Sequence, residues 1–150
     1  PSGMFNRHYH VINDDITDSK LEQKFDLITC VSVLEHVSDF ELAIKNMFSL
    51  LNPNGHLVIS FPYTENKYIP NVYKEPESNY GQDASYTTQS FSRNNINKWL
   101  TDNNGKVIEQ EYWQFWDGDF WTAGQKTIPP NKVNSDDVHQ LSCVLIQKIS

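Results

Sequence analysis

A glutamate and a histidine closely follow the longest apolar run of the chain. The run extends from Phe25 to Val33, and Glu35 and His36 come two and three residues after it. Histidine is the side chain that best transfers protons near neutral pH, so His36 is a candidate general acid or base. No Gly-x-Ser-x-Gly turn is present, which gives no support to serine hydrolase chemistry. His8 and His10 have no third ligand in view, so we expect no metal site.

Aromatic residues are the second group that could bind a ligand. A tyrosine-rich polar segment starts at Tyr63 and continues to Ser90. Phe120 and Trp121 lie beside glycines in sequence that is typical of a loop. These aromatic residues could line a substrate pocket or a subunit interface, or pack in the core.

Composition limits the classes of function. The chain has 150 residues, 38% of them hydrophobic, and a formal net charge of -7. This predicts one domain and disfavours nucleic acid as a partner. No apolar stretch is long enough to span a bilayer, and no signal peptide opens the chain. Cys30 and Cys143 are expected to be reduced, buried side chains, as in a cytoplasmic protein.

The pattern of residues 25–61 predicts a βαβ unit. Phe25 to Val33 is typical of a strand buried on both faces. A helix follows, with Ser38 as its N-cap and Glu41 completing a capping box. It ends at residues 52–55, where Gly55 is expected to supply a left-handed turn before the strand from Leu57 to Phe61. The two strands should be parallel.

The remaining elements are shorter. We predict a strand over residues 8–15, a helix from the N-cap Ser92 and a strand over residues 107–116. Residues 118–137 are expected to be irregular. A final strand over residues 141–149 should pair antiparallel with the strand before it.

These motifs together resemble a known family. The run ending in Leu34-Glu35-His36-Val37 resembles the fourth strand and following loop of class I S-adenosylmethionine-dependent methyltransferases. Residues 50–60 resemble that family's helix, turn and fifth strand, and residues 89–107 its later helix and sixth strand. The resemblance implies a Rossmann-like α/β sheet, mostly parallel with an antiparallel C-terminal strand, in a single partial domain over residues 1–150 that is N-terminally truncated.

The resemblance also implies a cofactor, S-adenosylmethionine, and residues that contact it. Asp15 aligns with the aspartate that accepts a hydrogen bond from the adenine amine, and the N–H of Ile16 would serve the neighbouring ring nitrogen. Read by residue type alone, Asp15 is simply the polar end of a strand. Cys30 and Val31 would face the methionine part, or pack in the core. In this family the Glu35-His36 pair often orders its loop without doing chemistry, an alternative to catalysis by His36.

The implied activity is methyl transfer to a small-molecule acceptor, with Tyr63, Phe120 and Trp121 as candidate acceptor contacts. The family's glycine-rich loop and ribose-binding acidic residue do not occur in these 150 residues, so the chain is expected to be incomplete for cofactor binding. The alternative is a degenerate methyltransferase fold with a structural or protein-interaction role. In the family's strand order, the missing first strand would leave one edge of residues 25–33 unpaired. We expect residues 8–15 or a second chain, as in a homodimer, to cover that edge.

Overall fold

The strand–helix–strand unit predicted near the start of the chain is present. The computed structural model describes residues 10–150. Strand β1 (Phe25–Val31) is followed by helix α1 (Phe40–Leu50), and β2 (Leu51–Thr64) returns parallel to β1. The register pairs Cys30 with Ile59 and Val31 with Ser60, so the carboxyl ends of the two strands lie at the same edge of the sheet.

The remaining elements are β3 (Phe91–Ser92), α2 (Arg93–Asn103), β4 (Gly105–Trp116), β5 (Lys126–Val133) and β6 (Leu141–Lys148). Five strands of the described mixed sheet have the order β1-β2-β6-β4-β5, and the short β3, the sixth, pairs parallel with β2. The α/β fold class is confirmed, and β6 pairs antiparallel with β4 as predicted. The described sheet is mixed rather than mostly parallel, because β6 also runs antiparallel to β2 and β5 to β4.

One face of the sheet and the two helices enclose the main core. Leu57, Ile59 and Phe61 of β2 are fully buried there against Phe48 of α1 and Trp99 of α2. Burying an aliphatic or aromatic side chain of this size contributes about 1.5–3 kcal/mol. The core therefore centres on β2 and fixes where its carboxyl end lies.

The N-cap of α1 and the left-handed residue after the helix differ from the prediction. The N-cap of α1 is Asp39, whose carboxylate accepts a hydrogen bond from the N–H of Leu42 at 3.2 Å, and not Ser38. The left-handed residue is Asn54, with a φ of 62°, and not Gly55. Gly55 is required for another reason: a Cβ there would lie 2.9 Å from the carbonyl oxygen of Asn52 and 3.1 Å from that of Phe25.

The expectation that residues 118–137 are irregular was wrong for β5. That strand contains Pro129 and Pro130, which argue against a central strand. Among residues 10–150 it pairs only with β4 and forms one edge of the sheet, where a proline does not interrupt a ladder on both sides. The prolines therefore indicated the position of the strand and not its absence.

Strand β1 is far less buried than its sequence predicted. None of its side chains is fully buried, and Leu27 and Val31 are 56% and 60% exposed. It is the other edge strand, because β2 is its only partner among residues 10–150. Residues 10–15 form no strand, so the prediction that residues 8–15 cover this edge is wrong for the described part; His8 and Tyr9 lie outside the described residues.

No helix within residues 10–150 is both long and apolar enough to cross a membrane.

Candidate functional site

The residues expected to contact a cofactor lie on two segments: Cys30 and Val31 end β1, and Asp15 and Ile16 belong to a short segment that contacts α1. Asp15 caps a 3-10 helix (Ile16–Asp18), where its Oδ1 accepts hydrogen bonds from the N–H and hydroxyl of Thr17 at 2.9 and 2.8 Å. These bonds lower the pKa of the exposed Asp15 carboxyl below its usual range. The carbonyl of Ile16 accepts a hydrogen bond from the Asn46 side chain at 2.7 Å, which attaches this segment to α1.

Cys30 and Val31 point to opposite sides of β1, as neighbours on a strand must. Cys30 packs against the main core, and burial, with a further contribution from Glu35, raises the pKa of its thiol. Val31 faces outward. Just beyond them, Ser32 adopts a φ of 50° and its N–H donates to the carbonyl of Ser60. The carboxyl end of β1 thus presents backbone and one small half-buried side chain.

Glu35 and His36 have different environments. Glu35 is 4% exposed, and its Oε2 has no hydrogen-bond partner among the described residues. Burial raises the pKa of this carboxyl, although its own backbone N–H and His36 act in the opposite direction. His36 is exposed; its Nδ1 lies 2.8 Å from the carbonyl of Thr87.

The two residues also attach their loop to the segment before β3. The N–H of Gln89 donates to the carbonyl of Glu35 at 2.9 Å, and its side chain donates to that of Val37 at 2.8 Å. A carbonyl can only accept, so His36 donates from Nδ1 to Thr87 and its Nε2 remains available. The geometry supports an ordering role for the pair and places His36 where a ligand at this edge could reach it.

A second candidate region is a cavity of about 840 Å³ beyond the carboxyl end of β2, here called the β2-end cavity. The end of β2, the loop after it, the β4–β5 connection and the segment before β6 form its walls. Phe120 lines the cavity, and its role as a substrate contact stays a prediction. Trp121 does not; it packs against Phe115 and Trp116.

Tyr63 is fully buried beside the cavity and belongs to the main core. Its hydroxyl donates to Glu65 at 2.7 Å, and its ring stacks on His139 at a centroid distance of 5.7 Å. Tyr63 therefore packs in the core next to the cavity without lining it, whereas its neighbours Thr64 and Glu65 line the cavity.

Arg93, at the start of α2, joins the cavity wall to β4. Its guanidinium donates to Glu65 at 3.0 Å and to the hydroxyl of Tyr112 at 2.7 Å, and its Cζ lies 5.6 Å from the centre of the Tyr63 ring. Partial burial alone would raise the pKa of Glu65, but the bonds from Arg93 and Tyr63 lower it. Glu65 is therefore an ionised carboxylate whose charge Arg93 offsets.

His139 and Gln140, just before β6, were not identified from the sequence. Gln140 is fully buried; its Oε1 accepts from the N–H groups of Phe115 and Trp116, both at 2.9 Å, and its Nε2 donates to the carbonyl of Gly118 at 2.5 Å. The pairing of β6 explains their position: β6 is antiparallel to β2, with Leu141 opposite Pro62. Polar residues preceding such a strand must lie at the carboxyl end of β2.

Among residues 10–150, no three His, Cys, Asp or Glu side chains are grouped so that they could bind a metal ion.

A family model described as "Methyltransferase domain" matches residues 4–110. Over 42 residues, the chain is 48% identical to a ubiquinone biosynthesis O-methyltransferase of Coxiella burnetii, a match that covers 28% of this chain and 18% of that protein.

Solved structures share the fold. The N-methyltransferase NodS of Bradyrhizobium japonicum WM9, in complex with S-adenosylhomocysteine, matches with a TM-score of 0.51 and 18% identity over 91% of this chain and 52% of NodS. The 1,6-didemethyltoxoflavin-N1-methyltransferase of Burkholderia thailandensis matches with a TM-score of 0.57 and 12% identity, over 90% of this chain and 48% of that one. The chain thus spans about half the length of these structural relatives.

Proposed function

Since the chain belongs to the methyltransferase domain family, we propose that it is the part of an S-adenosylmethionine-dependent methyltransferase that carries the fourth and later strands of the sheet, acting on a small-molecule acceptor. The observation that carries the proposal is the match of the family model over residues 4–110. In the described part of that range, two parallel strands end together at one edge, and Glu35 and His36 follow the end of β1. Ligands of open α/β sheets bind at such an edge.

The residues assigned to the cofactor fit it in polarity. Asp15 would accept a hydrogen bond from the adenine amine, and the N–H of Ile16 would donate to the ring nitrogen beside it. Cys30 and Val31 would contact the methionine part. The carboxyl of Glu35, buried and with an unpartnered oxygen among the described residues, is a polar group at the same end of β1 that a ligand could satisfy.

The cofactor supplies an activated methyl group, so the protein needs mainly to align the acceptor with it. No nucleophilic side chain is required. His36, hydrogen-bonded through Nδ1 to Thr87, has its Nε2 free to receive a proton from an acceptor. We propose this as the first catalytic role to test.

The test is calorimetric titration of S-adenosylhomocysteine into the 150-residue chain and into a form extended by the upstream methyltransferase segments. We expect micromolar binding by at least the extended form, and Asp15→Asn should weaken it about tenfold through loss of a charged acceptor. Asp18→Asn, in the same 3-10 helix and exposed, is the matched control and should bind like the parent. Absence of binding by both forms would overturn the proposal.

A structural or interaction module is the second candidate, favoured by the exposed apolar side chains of β1. Leu27 and Val31 of β1, and Val33 just after the strand, are each at least half exposed. In this case a second copy of the chain could pair along the free edge of β1. Sedimentation at micromolar concentration separates the two functions when it is combined with the titration: a dimer that binds no S-adenosylhomocysteine favours the module.

A further inference from the structure

The β2-end cavity has an excess of negative charge. Its lining includes one lysine, Lys67, and six carboxylates: Glu65, Glu75, Glu77, Asp119, Asp136 and Asp137. Arg93 offsets Glu65, and Lys67 lies 3.0 Å from Glu75. The other four carboxylates form no ion pair within residues 10–150. A concave, low-dielectric site lined by charge of one sign concentrates ligands of the opposite sign.

His139 adds a buried hydrogen-bond acceptor to the wall of this cavity. Its side chain is 8% exposed, and its Nδ1 lies 2.7 Å from the carbonyl of Asp137. Because that carbonyl can only accept, Nδ1 carries the hydrogen, and in the neutral form of the ring Nε2 is then an acceptor. Nε2 is buried and has no partner among the described residues. A buried acceptor without a donor costs free energy that an N–H group of a ligand would recover.

The ring of His139 is fixed in place by its neighbours. It stacks on Tyr63 with an interplanar angle of 15° and contacts Tyr112 at a centroid distance of 4.7 Å. Both tyrosines are linked through their hydroxyls to the Arg93–Glu65 pair. The acceptor is therefore pre-organised, so a ligand that binds it does not have to order the side chain first.

We propose that the β2-end cavity binds an organic cation with ammonium hydrogens, held by N–H bonds to Nε2 of His139 and by the unpaired carboxylates of the wall. Neutral alcohols would gain the hydrogen bond without the charge attraction, and carboxylate ligands would be repelled. A volume of about 840 Å³ is in the range of cavities that hold small molecules. The inference rests on the proposed function: it identifies the class of acceptor as an amine and His139 as the residue that binds it.

The test uses three probes of similar size, benzylamine, benzyl alcohol and benzoate, at pH 7.5 without cofactor. Affinities are measured by titration of the amide resonances of the 150-residue chain. We expect benzylamine to bind at least tenfold more tightly than benzyl alcohol and benzoate to show no binding, a difference of about 1.4 kcal/mol or more. The perturbed amides should lie in residues 64–77, 117–124 and 135–140. Equal affinity for the amine and the alcohol would overturn the proposal.

Variants test the two groups separately. His139→Phe keeps a ring against Tyr63 and removes the acceptor, so we expect benzylamine to bind about tenfold more weakly. Asp119→Asn should weaken binding about threefold, and the effect should vanish at 1 M salt. Glu22→Gln removes an exposed charge that does not line the cavity and should leave affinity unchanged. An unchanged affinity in both His139→Phe and His139→Gln would overturn the role of His139.

The outcomes remain distinct from those of the cofactor titration. Binding of S-adenosylhomocysteine with no preference for benzylamine would leave the proposed function standing and reject the amine site. Selective binding of benzylamine without S-adenosylhomocysteine binding would support the cation cavity and reject the proposed enzyme.

Discussion

Strands β1 and β2 are neighbours with similar apolar sequences, yet the burial of their side chains differs. In β2, alternate side chains such as Leu57, Ile59 and Phe61 are fully excluded from solvent, between the two helices and the strands on either side. In β1, the side chains of Leu27 and Val31 are more than half exposed. The difference comes from position: β2 has β1 on one side and β6 on the other, whereas β1 has one partner among the described strands.

This comparison separates the propensity to form a strand from the burial of its side chains. Apolar β-branched residues favour a strand in either position, because the backbone preference is local. Burial depends on what covers each face, which is a property of the whole sheet. The two proposed sites differ in the same way: β1 ends at the proposed cofactor edge, and β2 ends at the β2-end cavity, the proposed cation site.

The largest expected effect distinguishes the two strands directly. Ile59→Ala should lower the free energy of unfolding by about 2–5 kcal/mol, because it leaves a cavity in the core. Val31 is exposed on the neighbouring strand β1, so Val31→Ala should change the free energy of unfolding by no more than about 0.5 kcal/mol. Urea unfolding followed by tryptophan fluorescence measures both. A large loss in Val31→Ala would show that the outer face of β1 is covered in solution.

A smaller effect is expected where the two strands begin. Gly55→Ala should cost about 1–3 kcal/mol, because the new Cβ would press on the carbonyl oxygens of Asn52 and Phe25. Asn54→Gly is the matched variant. Glycine adopts the left-handed conformation of Asn54 without strain, but it also gives the unfolded chain more conformational entropy. These effects oppose each other, so the free energy of unfolding should stay within about 1 kcal/mol of that of the parent. The same urea series measures both variants, and equal losses would contradict the close approach at Gly55.

The smallest effect is a change in pH dependence just beyond β1. Burial raises the pKa of Glu35, so its neutral form is favoured in the folded state. The resulting stability is fully present below the pKa of an unfolded glutamate, about 4.3, and is lost as the pH rises through the raised pKa. As the pH rises from the unfolded pKa to the raised pKa of Glu35, the parent should therefore lose stability relative to Glu35→Gln.

Urea midpoints of the two proteins measured from pH 4 to pH 8 test this sign. Glu22→Gln, on the surface, controls for the loss of one charge and should follow the parent. Parallel curves for the parent and Glu35→Gln would contradict the raised pKa.

Much of the fold followed from local patterns. The apolar runs, the N-cap Ser92 and the turn residues at 52–55 predicted both helices and most strands, because those signals act within a few residues. Burial of β1 did not follow, since it depends on strands distant in sequence. Strand β5 was missed because its two prolines argue against a strand unless its edge position is known.

The candidate site was predicted less completely. A motif containing Glu35 and His36 could be read directly, because the two residues adjoin the strand end that positions them. His139 could not, because its importance comes from contacts with Tyr63 on β2 and Tyr112 on β4 and from a carbonyl two residues before it. The adenine, methionine and acceptor contacts assigned to Asp15, Ile16, Cys30, Val31 and Phe120 stay predictions.

Gln140 limits how this chain can vary in sequence. Its side chain accepts two backbone hydrogen bonds from β4 and donates one to the β4–β5 connection, all without exposure to water. Glutamate of the same length has no donor for the carbonyl of Gly118, asparagine is one methylene too short, and methionine provides neither group. Homologous sequences that keep this turn should therefore keep glutamine at position 140, and a replacement there would mark relatives in which the rim of the cavity is built differently.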